Sequence, residues 1–132
     1  MNKRWKSASH AVYNCNYHLI WCPKYRRKVL EEPIDLKLKE LLLEKAKEHD
    51  WVIESMEVML DHVHIFIKAT VNDSPAFIVN QLKGYTSFKL RDEFPQLKSR
   101  LPTLWTRSYY CETIGNISEE TIKDYIKNQK NK

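Results

Sequence analysis

Glycine and proline are scarce, two and five in 132 residues, and no Gly/Ser-rich or Pro-rich stretch occurs, which excludes low-complexity linkers and a disordered chain. There is no break in composition and no internal repeat, so residues 1–132 read as one domain large enough to bury its own core. Long apolar runs are also missing, and the N-terminus is basic and polar, so neither a membrane span nor a signal peptide is expected and a cytoplasmic location follows. The three cysteines, Cys15, Cys22 and Cys111, are odd in number and form no C-x-x-C pair, as suits buried thiols in a reducing compartment. A metal site from Cys15, His18 and Cys22 would lack the usual ligand spacing.

Acidic side chains are absent from the first thirty residues, where Lys3, Arg4, Lys6, Lys24, Arg26, Arg27 and Lys28 supply seven positive charges. The rest of the chain holds fifteen basic and seventeen acidic residues, so all of the net +5 is N-terminal. Trp21 and Tyr25 stand beside Arg26 and Arg27, pairing flat rings with cations as unstacked bases and phosphates require. A solvated basic turn is the plainer alternative, but the bias covers the whole first quarter and favours nucleic acid.

What is present, and unusual, is Asp61-His62-Val63-His64-Ile65-Phe66-Ile67. Strand side chains alternate between faces, so Val63, Ile65 and Ile67 can enter a core while His62 and His64 stand together on the other side, roughly 7 Å apart at their backbones. Two imidazoles so placed can converge on one cation; a solvent face that happens to carry two histidines is the alternative. A second segment, Ser118 to Gln129, reads as a helix. Ser118 is a good N-cap, Glu119 and Glu120 suit the first turn, and Ile117 with Ile122 has staple spacing. Tyr125 and Gln129, four residues apart, share one face of it, either as a functional pair or as the edge of the apolar stripe of Ile122 and Ile126.

Between these segments the patterning predicts a strand over residues 11–22, an amphipathic helix over about 34–49, strands over 51–59 and to about 69, a helix from Ser74 and Pro75 to about Asp92, and a strand over 104–113. A tight link at Leu60 and Asp61 predicts a hairpin. The order β-α-β-β-α-β plus a terminal helix predicts an α+β, ferredoxin-like sandwich with an antiparallel sheet, its helices covering one face and the histidines on the open one. Gly84 inside a helix costs about 1 kcal/mol, so either nucleic acid approaches closely there or the helix packs tightly on the sheet.

His62-Val63-His64 resembles the His-hydrophobic-His (HUH) motif, and Tyr125-Ile126-Lys127-Asn128-Gln129 the Tyr-x-x-x-Gln motif, of the single-tyrosine transposases that mobilise the smallest bacterial and archaeal insertion sequences. Tyr17-His18-Leu19-Ile20-Trp21-Cys22-Pro23-Lys24-Tyr25-Arg26 is similar to the first-strand signature of that family, Leu82-Lys83-Gly84-Tyr85-Thr86-Ser87 to its second-helix signature, and Leu104-Trp105 through Gly115 to its last strand. Leu60 departs from the pattern, because the family often has proline before the Asp-His-Val-His run.

The resemblance implies a DNA transposase in which His62, His64 and Gln129 hold a divalent cation, Mg²⁺ or Mn²⁺, and Tyr125 attacks phosphorus to give a 5′-phosphotyrosine and a free 3′-hydroxyl. It further implies single-stranded DNA hairpins at the element ends as substrate. It also implies a homodimer in which the Tyr125 helix of one subunit completes the histidine site of the other. Lys24, Tyr25, Arg26, Arg27, Lys83 and Arg91 are the candidate DNA contacts. His18, on the polar face of its strand, either approaches the metal or makes a structural hydrogen bond. Two rivals are a non-catalytic single-strand-binding module, against which the joint presence of His62, His64, Tyr125 and Gln129 argues, and a domesticated hairpin-cutting relative, which would tend to carry a C-terminal extension.

Overall fold

The computed structural model describes residues 15–114 and 127, together with the backbone of residues 6–8 and 11–13. Its elements run β1 (Lys6–Ala8), β2 (Ala11–Tyr13), β3 (Cys15–Trp21), a 3-10 turn (Lys24–Arg26), α1 (Ile34–Glu48), β4 (Val52–Met59), β5 (His62–Ala69), α2 (Pro75–Glu93), α3 (Gln96–Arg100) and β6 (Tyr110–Ile114). The four-stranded sheet has the order β4-β5-β3-β6 with every neighbour antiparallel, the topology expected of a ferredoxin-like α+β sandwich.

Local chemistry accounts for most boundaries. Ser74 caps α2, its hydroxyl accepting from the Phe77 amide at 3.1 Å, and Pro75 fits the first helical position, where its missing N–H costs nothing. Helix α1 ends with Asp50 in the left-handed region (φ 60°), its amide donating to Lys47 O while Trp51 N donates to Ala46 O, a Schellman closure built without glycine. The link of Leu60 and Asp61 makes β4 and β5 a tight hairpin with Met59 opposite His62. Leu30 N donates to Leu60 O and ties the turn to the body of the fold.

Leu19, Trp21, Val63, Ile65 and Ile67 project from the sheet and pack against Leu38, Leu42, Ile78 and Leu82 of the two long helices, all essentially without solvent contact. Burial of this apolar layer is the main stabilising term, at about 1.5–3 kcal/mol per large side chain.

Several expectations are corrected. The strand predicted over 11–22 is two strands, and β2 pairs with β1 in a separate two-stranded sheet. Residues 104–109 do not extend β6. Leu104 and Trp105 turn into the core, and the Thr106 and Ser108 carbonyls accept from the Lys83 ammonium instead of a neighbouring strand. Helix α3 lies in the stretch between the helix predicted to about Asp92 and the strand predicted over 104–113, where patterning predicts no element. The sheet face opposite the long helices is also less open than expected: Asn16, His18, Phe66 and Lys68 are buried there, Phe66 clusters with Ile114, and Lys68 Nζ lies 3.1 Å from Glu54 Oε1. Polar groups buried in that way need partners, so this face carries polar pairs where the other carries hydrocarbon.

Among the described residues nothing lies within 4 Å of where a Cβ on Gly84 would stand, so tight packing on the sheet does not explain it. Gly84→Ala should therefore raise stability by about 1 kcal/mol in urea unfolding, since nothing resists the methyl and the helix gains propensity. A fall in hairpin-DNA affinity in the same variant would show that the bare backbone serves a ligand.

Candidate active site

Strand alternation on β5 places His62, His64 and Phe66 on one face and Val63, Ile65 and Ile67 on the other. The two imidazoles stand edge to face with centroids 4.8 Å apart. His62 is partly exposed, whereas His64 is only 6% exposed. Burial first, then the neighbouring His62 and His18, push the His64 pKa down to about 4, which keeps the ring neutral at neutral pH as a metal ligand must be.

Each ring has one nitrogen engaged within the protein. His62 Nδ1 lies 2.7 Å from Asp61 Oδ1, and His64 Nδ1 lies 3.2 Å from His18 Nε2. Among the described residues neither Nε2 has a hydrogen-bond partner, and a ring held through Nδ1 by an outer partner is the arrangement usual for metal-bound histidines. Asp61 also accepts from Arg26 Nη2 at 3.0 Å, so it joins the basic turn to the histidine hairpin. The His62 hydrogen bond above all, helped by the Arg26 guanidinium, holds the Asp61 carboxyl below the ordinary carboxylate range. Among the described residues no group of three or more His, Cys, Asp or Glu surrounds one metal position. Two imidazoles alone do not close a metal shell, so a cation held by His62 and His64 would take further donors, such as a carboxamide or a phosphate oxygen.

The basic turn is conformationally strained. Tyr25 and Arg26 both occupy the left-handed region, at φ 61° and 49°, a cost of roughly 1–3 kcal/mol each for residues with a Cβ. Pro23 bridges to Trp105, Lys24 N donates to Leu104 O at 2.8 Å and Arg26 N to Pro23 O at 2.9 Å, which together hold the turn. The result is a Tyr25 ring 64% exposed, with Lys24 Nζ 5.3 Å and the Arg27 guanidinium 6.0 Å from its centroid.

Of the expected DNA contacts, Lys24, Tyr25, Arg26 and Arg27 thus lie together beside the histidine hairpin. Lys83 and Arg91 are placed otherwise. Lys83 Nζ donates to Thr106 O and Ser108 O at 2.7 and 2.8 Å, and burial lowers its pKa to about 8. Arg91 donates to Leu101 O and Pro102 O. Both pin the loop between α3 and β6. Tyr125, Gln129 and the predicted helix over 118–129 lie outside the described residues. Sequence reasoning gave no role to Asp61 beyond its turn, nor to Glu57, which opposes His64 across the β4–β5 ladder, or Glu112, which opposes His18 across β3–β6. The predicted two-residue hairpin at Leu60 and Asp61 already implies the pairing of Glu57 with His64, whereas only the register of β3 with β6 exposes that of Glu112 with His18, 94 residues away.

A family model described as "Transposase IS200 like" matches residues 11–129. The chain belongs to the IS200-like transposase family. Among the relatives of this transposase, the ISDra2 transposase TnpA of Deinococcus radiodurans is 37% identical over 123 residues, covering 92% of this chain and 88% of that protein. The transposase for insertion sequence element IS200 of Salmonella typhimurium is 31% identical over 126 residues, covering 94% and 82%. A crystal structure of a transposase from Deinococcus radiodurans R1, at 1.90 Å, matches with a TM-score of 0.77 and 34% identity over 94% of this chain and 97% of that one. The REP-associated tyrosine transposase bound to a REP hairpin shares the fold, with a TM-score of 0.60 at 14% identity over 93% and 67%. Family membership makes the chain a single-tyrosine HUH transposase, an enzyme of DNA transposition that cleaves DNA and transfers strands. No helix among the described residues is long and apolar enough to cross a membrane.

Proposed function

We propose that this transposase cleaves and rejoins single-stranded DNA at hairpin-marked element ends through a 5′-phosphotyrosine on Tyr125. One observation carries the reading: His62 and His64 share one face of the hairpin with ring centroids 4.8 Å apart, and the Nδ1 of each is engaged within the protein. His62 and His64, with Gln129, would hold Mg²⁺ or Mn²⁺, which supplies Lewis-acid stabilisation and orientation of the scissile phosphate. The Tyr125 oxygen forms a bond to phosphorus as the bond from phosphorus to the 3′-oxygen breaks, leaving a free 3′-hydroxyl. The phosphodiester energy stays in the tyrosyl ester, so a 3′-hydroxyl of another strand reverses the step without ATP. An unperturbed phenol, with a pKa of about 10, is only about one-thousandth ionised at pH 7, so the assembled site must lower that pKa or take the proton.

Lys24, Arg26 and Arg27 would neutralise phosphates while the exposed Tyr25 ring stacks on an unpaired base. Lys83 and Arg91 would act indirectly by fixing the loop at 101–108. We further propose a homodimer in which the Tyr125 helix of one subunit completes the histidine site of its partner. Incubating the protein with end-labelled hairpin DNA and Mn²⁺ should yield a label that stays with the protein in SDS, with chelator or fully duplex DNA suppressing it. No adduct with any hairpin-bearing strand from the element ends, or equal adducts with duplex, would remove the reading.

A further inference from the structure

His18 is a fully buried polar ring on the histidine face of β3. Phe66 stacks on it, with centroids 4.3 Å apart and planes within 1° of parallel, and the Tyr110 ring stands edge-on at 6.0 Å. The ring is therefore fixed in orientation. Its Nε2 lies 3.2 Å from His64 Nδ1, and on its far side Nδ1 lies 3.8 Å from Glu112 Oε2. A hydrogen bond between two neutral imidazoles needs one donor and one acceptor, which leaves two arrangements. If His18 donates, His64 carries its proton on Nε2 and has no lone pair to offer outward. If His64 donates, His18 carries its proton on Nδ1, facing the Glu112 carboxylate, and His64 Nε2 is bare. The Glu112 charge favours the second, because a carboxylate prefers an N–H to a lone pair at that distance.

We propose that His18 is a positioning residue for His64: held between Phe66 and Glu112, it accepts the Nδ1–H of His64 and so fixes the tautomer and the ring angle that present His64 Nε2 to a divalent cation. This rests on the reading of His62 and His64 as cation ligands. His62 receives the same service from Asp61, so each ligand has a partner on a different element: the hairpin turn for His62, the neighbouring strand β3 for His64. Outer partners of this kind typically change metal affinity 10–100-fold when removed.

The test combines ring-nitrogen NMR with binding of Mn²⁺ alone. In metal-free wild-type protein labelled with ¹⁵N-histidine, His64 should appear as the Nδ1–H tautomer and His18 likewise; an Nε2–H His64 overturns the proposal without any variant. His18→Phe preserves a flat ring on Phe66 but offers no acceptor, and should weaken Mn²⁺ binding about tenfold or more while hairpin affinity stays unchanged. His18→Gln, whose Oε1 can take the place of Nε2, should restore the tautomer and most of the affinity. Wild-type Mn²⁺ affinity in a folded His18→Phe protein would overturn the proposal. Should a His62→Ala/His64→Ala protein bind Mn²⁺ as well as wild type does, the cation reading fails instead, and the wild-type tautomer still judges the hydrogen bond by itself.

Discussion

Tyr125→Phe should abolish the covalent protein–DNA adduct and lower strand cleavage by roughly 10⁴-fold or more, the scale seen when a nucleophile is deleted from a site that otherwise stays intact. Phenylalanine keeps the ring and loses only the oxygen that would bond to phosphorus, so hairpin binding and the unfolding midpoint should be unchanged. The measurement is a denaturing gel with end-labelled single strands beside a mobility-shift titration. Adducts formed equally by variant and wild type would place the nucleophile elsewhere.

His64→Ala should reduce cleavage by roughly 10³-fold, the rate equivalent of several kcal/mol of lost charge stabilisation, while changing hairpin affinity by less than about twofold, because binding comes mainly from phosphate contacts. His64 is the more informative of the two histidines to remove. On the proposed reading its neutrality, its burial and its Nδ1 bond to His18 all prepare Nε2 for a cation. Normal cleavage by the folded variant would contradict the assignment. The same pair of inactive proteins tests assembly: mixing Tyr125→Phe with His64→Ala should restore cleavage if sites form between subunits, since one site of each mixed dimer then has both groups, and should restore none if they form within one.

How much of this was legible in the sequence follows from how local the signals are. Alternation along β5, the Ser74-Pro75 start of α2 and the two-residue link at Leu60 and Asp61 depend on neighbours in the chain, and they placed His62 and His64 on one face. The loop at 104–109 depends instead on Lys83, 23 and 25 residues before the carbonyls it holds, and no periodicity reports that bond. For the same reason the sequence, which offers Lys83 and Arg91 as candidate DNA contacts, does not show that their donors serve backbone oxygens. Burial of His18, Phe66 and Lys68 on the face expected to be open is likewise a tertiary outcome, because alternation tells which residues share a face and not whether that face is covered. For His18 the sequence allows metal approach or a hydrogen bond, and register with β5 and β6 brings its Nε2 to 3.2 Å from His64 Nδ1. The positive φ of Tyr25 and Arg26 is also silent in sequence, since neither residue type favours that region.

The same geometry connects charge to chemistry. Arg26 is at once part of the cationic turn and the partner of Asp61, which in turn orients His62. The groups suited to a DNA backbone are thus tied to those suited to the cation through two hydrogen bonds.

Whether His62 and His64 share one cation is tested most directly by pulsed EPR of Mn²⁺ bound to the protein, with its histidines labelled by ¹⁵N. Coupling of the manganese to two imidazole nitrogens, falling to one in His62→Ala and one in His64→Ala, is the predicted result. Bound Mn²⁺ that shows no imidazole coupling, or keeps both couplings when His64 is replaced, would contradict it.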